Sequence, residues 1–306
     1  MPSHDKTPPW QTILAFATIY LVWGSTFLAI RIGVQAAPPL LFAAMRFVVA
    51  GALLFGWTLL RRESRPTAKQ WRSIFILAVL IFLIDYGLVF WAEQRIASGI
   101  AAVIMATIPA FTALFEILIL KTQRLTARLA IALTIGLAGV AILMSHAFNL
   151  GDAPVDTPGA IALIIGSITW SLASVLSRRL PLPESKFVSS GAQMLVGGIL
   201  LTLAAAAHHE FRGFAFSSVS RAGWLALIYL IILGSLIAFT VYVWLIHHQS
   251  PTKVGTYAYV NPVVAVVLGY FFAAEPVGLR TLLGAACVLI GVIIITTRRT
   301  PTPSKA

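Results

Sequence analysis

The chain has 306 residues, a net charge of +12 and one cysteine; 59% of its residues are hydrophobic, 10% are charged, and the mean hydropathy is +0.91. Soluble domains carry about 25% charged residues, and no water-soluble domain of this size hides so much apolar surface, so the expected solvent is lipid. The lone Cys287 excludes disulfides within the chain and multi-cysteine metal or iron–sulfur sites.

Ten apolar stretches approach the roughly 20 residues that cross a bilayer. They lie at 10–34, 38–60, 71–92, 98–120, 126–145, 157–177, 187–207, 222–246, 253–274 and 279–297. The first is long enough to span and lacks a small-residue cleavage site after a short core, so it is expected to be a membrane helix and not a signal peptide. With the N-terminus placed in the cytoplasm, sixteen Lys and Arg fall in inside segments and five outside. That excess sets the orientation, with both termini cytoplasmic, and it places the positive charge in short loops, not in a nucleic-acid-binding face. The expected fold is an all-α polytopic membrane protein of ten transmembrane helices. Residues 1–9 and 298–306 are cytoplasmic tails, 10–145 a first five-helix repeat, 146–156 an external linker and 157–297 a second repeat.

The repeat is visible by shifting the sequence on itself. At an offset of 147, Trp23 falls on Trp170, Arg31 on Arg178, Arg46 on Gln193 and Gly51 on Gly198. At 153, Trp71 falls on Trp224, Trp91 on Trp244 and Pro109 on Pro262; at 152, Ala132 falls on Gly284 and Gly139 on Gly291. Matched leucines are cheap in such a composition, but matched tryptophans and prolines are not. Five spans are an odd number, so the second copy enters the membrane in the opposite sense. Inverted repeats are the architecture of alternating-access carriers and hold their solute near the midplane between the halves.

The paired landmarks are the site candidates. Trp23 and Trp170 fall near the middles of spans 1 and 6, and Trp91 marks the outer part of span 3. Pro109 and Pro262 fall mid-span, where each frees the carbonyl four residues earlier, that of Met105 or Ala258. Either a wet cavity with its ligand or a neighbouring helix answers those carbonyls. Tyr257 and Asn261 share a face of span 9, as solute ligands or as interhelical hydrogen-bonding groups. Arg46 and its counterpart Gln193 complete the expected central cavity.

Asp85, within FLIDYGLVFW, is the costly residue, since a charge at the bilayer centre costs about 2.5–3.5 kcal/mol on the insertion scale. Three readings stand. Arg46, at similar depth, pairs with it across the helices; Asp85 faces the cavity unpaired and carries a proton; or Asp85 is hydrogen-bonded to neighbours while Arg46 snorkels outward. Glu93 and Arg95 at the outer end of span 3, and Glu116 near the inner end of span 4, are interface residues or gates. The strip of Ala132, Gly139, Gly284 and Gly291 suits close packing. Spans 5 and 10 are therefore expected at the periphery, bracing each half or forming a homodimer contact.

The segments WGSTFLAIRIGV, PPLLFAAMRF, SGIAAVIMATIPAF, TYAYVNPVVAVVLGYFFAAEP and GVIIITT resemble the EamA-domain branch of the drug/metabolite transporter superfamily, and in particular its YedA-type bacterial inner-membrane members. The resemblance covers essentially the whole chain. It implies a ten-helix inverted-repeat exporter of amino acids, other metabolites or drug-like compounds. It also implies that Arg46, Pro109, Asn261, Pro262 and Glu275 are family-pattern positions. Two departures stand out: Gln123 where a Glu is frequent, and the acidic Asp85 where a neutral residue is usual.

The alternatives are a facilitative channel or uniporter and a membrane-embedded enzyme. His208–His209 and His247–His248 fall at span ends on opposite sides, and adjacent helical residues point about 100° apart, so neither pair chelates by itself. No P-loop is present. No cofactor or metal is expected. The expected partners are a small-molecule solute and the lipid bilayer, and transport runs on a gradient, with solute alone or exchanged against protons.

Overall fold

The structure is a computed structural model that describes residues 8–96, 98–148, 156–273 and 279–297. Glu275, residues 1–7 and residues 298–306 lie outside the described residues. Among those described, the regular structure is helical. Helix α1 spans Pro9–Ala36, α2 Pro39–Leu60, α3 Ala68–Glu93, α4 Ser98–Leu120, α5 Ala127–Phe148, α6 Thr157–Leu176, α7 Lys186–Ala207 and α8 Arg221–His248. Helix α9 is built from Pro251–Gly255 and Tyr257–Ala273, and α10 is Leu279–Thr296.

Local chemistry starts these helices. Pro9, Pro39, Pro158 and Pro251 occupy first-turn positions, where their missing N–H costs nothing. Thr67 and Gln70 form a reciprocal capping box. Asp156, Ser185, Ser220 and Ser250 accept from backbone N–H groups three residues on. Lys121, in the left-handed region with φ of 57°, ends α4.

Among the described residues, seven helices are long and apolar enough to cross a membrane: α1 to α4 and α6 to α8. Two shorter apolar stretches, Ala127–Ile142 and Leu282–Thr296, lie in α5 and α10. On α1 the side chains of Leu14, Leu21 and Leu28 are exposed at seven-residue spacing, while Ile19, Trp23, Thr26 and Ile30 are buried. Leucine therefore lines the outside, and a mixture of large apolar, small and polar groups the inside. That arrangement suits a lipid solvent, where apolar burial between helices gains nothing over lipid contact.

The two repeats meet in contacts that repeat themselves. A Cβ at Gly51 of α2 would stand 2.3 Å from the Leu195 nitrogen of α7; a Cβ at Gly198 would stand 2.5 Å from the Val48 nitrogen of α2. At the offset of 147, Val48 is the counterpart of Leu195 and Gly51 that of Gly198. Gly191 in turn meets Phe55. Going up α2 through Val48, Gly51 and Phe55 means going down α7 through Gly198, Leu195 and Gly191, so these equivalent helices cross antiparallel.

Helices α5 and α10 do the same. A Cβ at Gly139 would stand 2.8 Å from the Gly284 carbonyl, and one at Gly291 would stand 2.9 Å from the Ala132 carbonyl. The smooth strip of these helices is filled by the other repeat within one chain. These helices join the halves, packing with Tyr259 and Val260 of α9 into a satellite core of Leu129, Ala132, Val140, Val288 and Val292.

Helices α3 and α8 also share a feature. Each contains two turns of wider π-helix, Val79–Tyr86 and Leu230–Ile237. Such turns leave the regular ladder locally unsatisfied and recur at functional sites.

Candidate functional site

Trp23 of α1 and Trp170 of α6 meet near the centre of the bundle, edge to face, with ring centroids 5.4 Å apart. Tyr242 of α8 lies 5.1 Å from each, Tyr257 of α9 lies 4.7 Å from Trp23, and Tyr86 of α3 lies 5.8 Å from Trp170. These five rings form a closed cage of five helices from both repeats. The Trp23 indole N–H donates to the Gly234 carbonyl at 3.2 Å, in the π-helical stretch of α8. Ser174 hydrogen-bonds the Tyr242 hydroxyl. Sequence reasoning places Trp23, Trp170 and Tyr257 here but misses Tyr86 and Tyr242. The available signals were the position of Tyr86 beside Asp85 and of Tyr242 two residues before the repeat-matched Trp244.

Arg46 of α2 is buried at one edge of the cage, 1% exposed. Its Nε donates to Ser235 Oγ of α8 at 2.8 Å, linking the repeats. Its guanidinium carbon stands 4.6 Å from the Phe47 ring centre and 5.1 Å from that of Tyr86. Nη1 has no hydrogen-bond partner. Burying a cation this way depends on the ring faces and the hydroxyl.

Asp85 is 2% exposed, and no ion pair joins it to Arg46. The pairing expected from depth alone is therefore corrected. The two groups diverge because Tyr86, the next residue along, takes the guanidinium side. Asp85 turns instead onto α6, where Gly166 leaves room: a Cβ there would stand 2.9 Å from Asp85 Oδ1. That oxygen is buried without a partner. Arg46 does not snorkel outward either.

Helices α4 and α9 are both interrupted. Helix α4 breaks at Ala106–Thr107, just before Pro109, and Ser171 of α6 donates to the Ile108 carbonyl at 3.1 Å. Helix α9 breaks at Thr256, not at Pro262, which lies inside the Tyr257–Ala273 helix. The cause is local: the Thr256 hydroxyl donates to its own Lys253 carbonyl at 2.6 Å and also bonds Tyr20 at 2.6 Å. The breaks face each other, since a Cβ at Gly255 would stand 3.6 Å from Pro109 Cα. Asn261 is buried with its Oδ1 unpartnered, as is Thr112 Oγ1. Broken helices at a repeat interface are the usual walls of a solute site.

Other sequence candidates lie away from the cage. Gln193 donates to Ser189 and lines a narrow crevice with Ser174, Ser177, Tyr242 of the cage and His247. Trp91 lies under the Arg95 guanidinium at 4.5 Å, near the end of α3 that carries Glu93; this corrects its expected place in the central cavity. Arg95 also pairs with Asp156 at 3.6 Å. Glu93 is buried with both carboxyl oxygens unpartnered. Glu116 bridges the repeats: Oε2 accepts from the Thr252 N–H at 3.0 Å and hydroxyl at 2.7 Å, and Oε1 from Thr122 at 3.2 Å. It thereby caps the first turn of α9, where an anion is favoured.

Comparison with known proteins places this geometry in a family. The model of the EamA-like transporter family matches twice, over residues 10–145 and 157–297. The chain is 38% identical to the uncharacterized inner membrane transporter YedA of Escherichia coli (strain K12), covering 95% of this chain and 92% of that protein. It is 26% identical to protein PecM of Dickeya dadantii (strain 3937), covering 90% and 88%. A solved crystal structure superposes with a TM-score of 0.73 at 23% identity, covering 94% of this chain and 97% of that one, a likeness of fold. With both halves matched and this identity across nearly its whole length, the chain belongs to the EamA-like transporter family.

Proposed function

We propose that this protein is a secondary transporter that exports small organic solutes, among them amino acids and drug-like compounds, across the bacterial cytoplasmic membrane. It works by alternating access, with ten crossings arranged as two inverted repeats and both termini cytoplasmic. The similarity to an inner membrane transporter supports the location. The excess of Lys and Arg in alternate loops supports the orientation.

One observation carries the reading. Two repeat-equivalent tryptophans meet inside a five-ring cage whose rim holds buried, unpartnered polar atoms of opposite character: Arg46 Nη1 and Asp85 Oδ1. Leaving such atoms unsatisfied costs about 1–3 kcal/mol each, more for charged groups, so they are poised for a ligand. The rings supply apolar area and π faces. A solute with separated positive and negative groups on an apolar body satisfies both, its anion at Arg46 and its cation at Asp85. In the absence of an ATP-binding loop the driving force is a gradient. Asp85, unpaired at the cage, is the residue proposed to carry a proton in exchange for solute.

The test is counterflow in proteoliposomes across amino acids, nucleosides and organic cations, with a pH probe inside. Saturable accumulation of a solute with an accompanying pH change supports the reading. Unsaturable flux, or single-channel currents, replaces the carrier with a channel.

A further inference from the structure

Arg31 and Arg178, equivalent at the offset of 147, make the same contact at opposite ends of the molecule. Arg31 Nη1 donates to the Glu93 carbonyl and, at 3.0 Å, to the Ile96 carbonyl. Arg178 Nη1 donates to the Ile246 carbonyl at 2.8 Å and the Gln249 carbonyl at 3.2 Å. Ile246 and Gln249 are the counterparts of Glu93 and Ile96 at the offset of 153. Each arginine thus leaves the end of α1 or α6 and grips the last carbonyls of α3 or α8, at the connection into an interrupted helix. Each stands eight residues beyond its cage tryptophan, about 12 Å along a helix, and the two lie in opposite directions from the Trp23–Trp170 contact.

We infer that Arg31 and Arg178 are the two latches of the transport cycle: each holds one end of the cage shut, and each must release for its own end to open. The inference rests on the alternating-access reading. The end regions support it. At the Arg31 end the gripped loop also packs Ile96 against Gly159 of α6, where a Cβ would stand 2.9 Å from Ile96 Cδ1, and Arg95 pairs with Asp156. First-repeat loop and second-repeat helix are therefore closed over the cage together. At the Arg178 end the crevice lined by Ser177 and His247 runs up to Tyr242 of the cage, and the gripped Gln249 directly precedes the α9 cap held by Glu116.

An arginine on helix-terminal carbonyls is also an ordinary C-cap, which would only steady the fold. The two roles differ in what their loss does. A cap lost at either end loosens the protein without direction. A latch lost at one end raises the population open at that end and, because the two open states exclude each other, lowers the population open at the other. The latches are also unequal. Arg31 is half-buried and grips the main-chain carbonyl of the buried Glu93, whereas Arg178 is exposed and its counterpart of Glu93 is Ile246. Losing Arg31 therefore shifts the balance more.

The experiment replaces Cys287 with Ser and places one reporter at a time at two equivalent buried positions, Ile30→Cys and Ser177→Cys. Full-length protein in oriented proteoliposomes is labelled with a membrane-impermeant maleimide from each side. Arg31→Ala is expected to raise labelling at position 30 by about tenfold, the effect of one charge-assisted hydrogen bond, and to lower it at 177. Arg178→Ala is expected to do the reverse by about threefold, as suits an exposed group. Arg31→Lys, which keeps the charge and one donor, falls between and carries the test if the alanine variant is not monodisperse. Labelling that moves in the same direction at both reporters, or at neither, overturns the latches. A reporter labelled equally from both sides of the membrane, in protein that keeps both arginines, overturns alternating access itself.

Discussion

Gly51 of α2 touches the backbone at Leu195, and its counterpart Gly198 of α7 touches the backbone at Val48, the counterpart of Leu195, so one crossing is built twice with the same residues exchanged. This is the signature of a two-fold axis running between the repeats. Neither position has space for a side chain. Gly51→Val is expected to destabilise the protein by about 1–3 kcal/mol, the usual cost of overpacking a close contact. Gly56→Ala, on the same helix but with nothing within 4 Å of its added Cβ, is expected to be neutral. Thermal unfolding of both variants in detergent checks the contrast.

The cage rings set solute affinity. Trp23→Ala and Trp170→Ala each remove a wall and an edge-to-face partner, worth about 0.5–1.5 kcal/mol beyond area. Transport KM is expected to rise about tenfold in each, with Trp→Phe variants recovering most of it. Trp23→Phe is expected to recover less than Trp170→Phe, since it also loses the hydrogen bond to Gly234.

Arg46 and Asp85 act separately. Because no ion pair joins them, the stability effects of Arg46→Ala and Asp85→Asn are expected to add within about 0.5 kcal/mol in a double-mutant cycle. A coupling several times larger restores the pairing that depth in the membrane suggests. In counterflow, Asp85→Asn is expected to abolish the internal pH change.

Those two residues also mark how far the sequence leads. Pairs of tryptophan and proline at fixed offset reveal two equivalent halves, and the cage tryptophans follow from that alone. Depth along a helix can be counted, but azimuth cannot, and azimuth decides that Tyr86 and not Asp85 faces Arg46. The break in α9 is missed for a similar reason. Proline is a visible helix breaker, whereas Thr256 breaks its helix through a hydroxyl that finds its own backbone and Tyr20. Arg31 and Arg178 are plain as landmarks, yet their carbonyl partners are backbone atoms with no residue identity to betray them. Glycines along α5 and α10 announce close packing without naming the partner, which is the other repeat.

Glu116 ties α4 to the start of α9 through two hydrogen bonds from Thr252 and accepts a third from Thr122 of its own repeat. Glu116→Ala leaves the Thr252 N–H uncapped and is expected to cost about 1–2 kcal/mol, in the range of a lost N-cap. Thr252→Val removes one bond and spares the backbone cap, so it is expected to cost less. Unfolding midpoints of the two variants, compared in one detergent, decide the order.

The central claim is that two equivalent five-helix halves lie head-to-tail in the membrane with the solute site between them. Reporter fusions at Asp152, between the halves, and at Lys253, at the start of α9, test it most directly. The account predicts the fusion at 152 outside and the one at 253 in the cytoplasm; both on the same side of the membrane would contradict it.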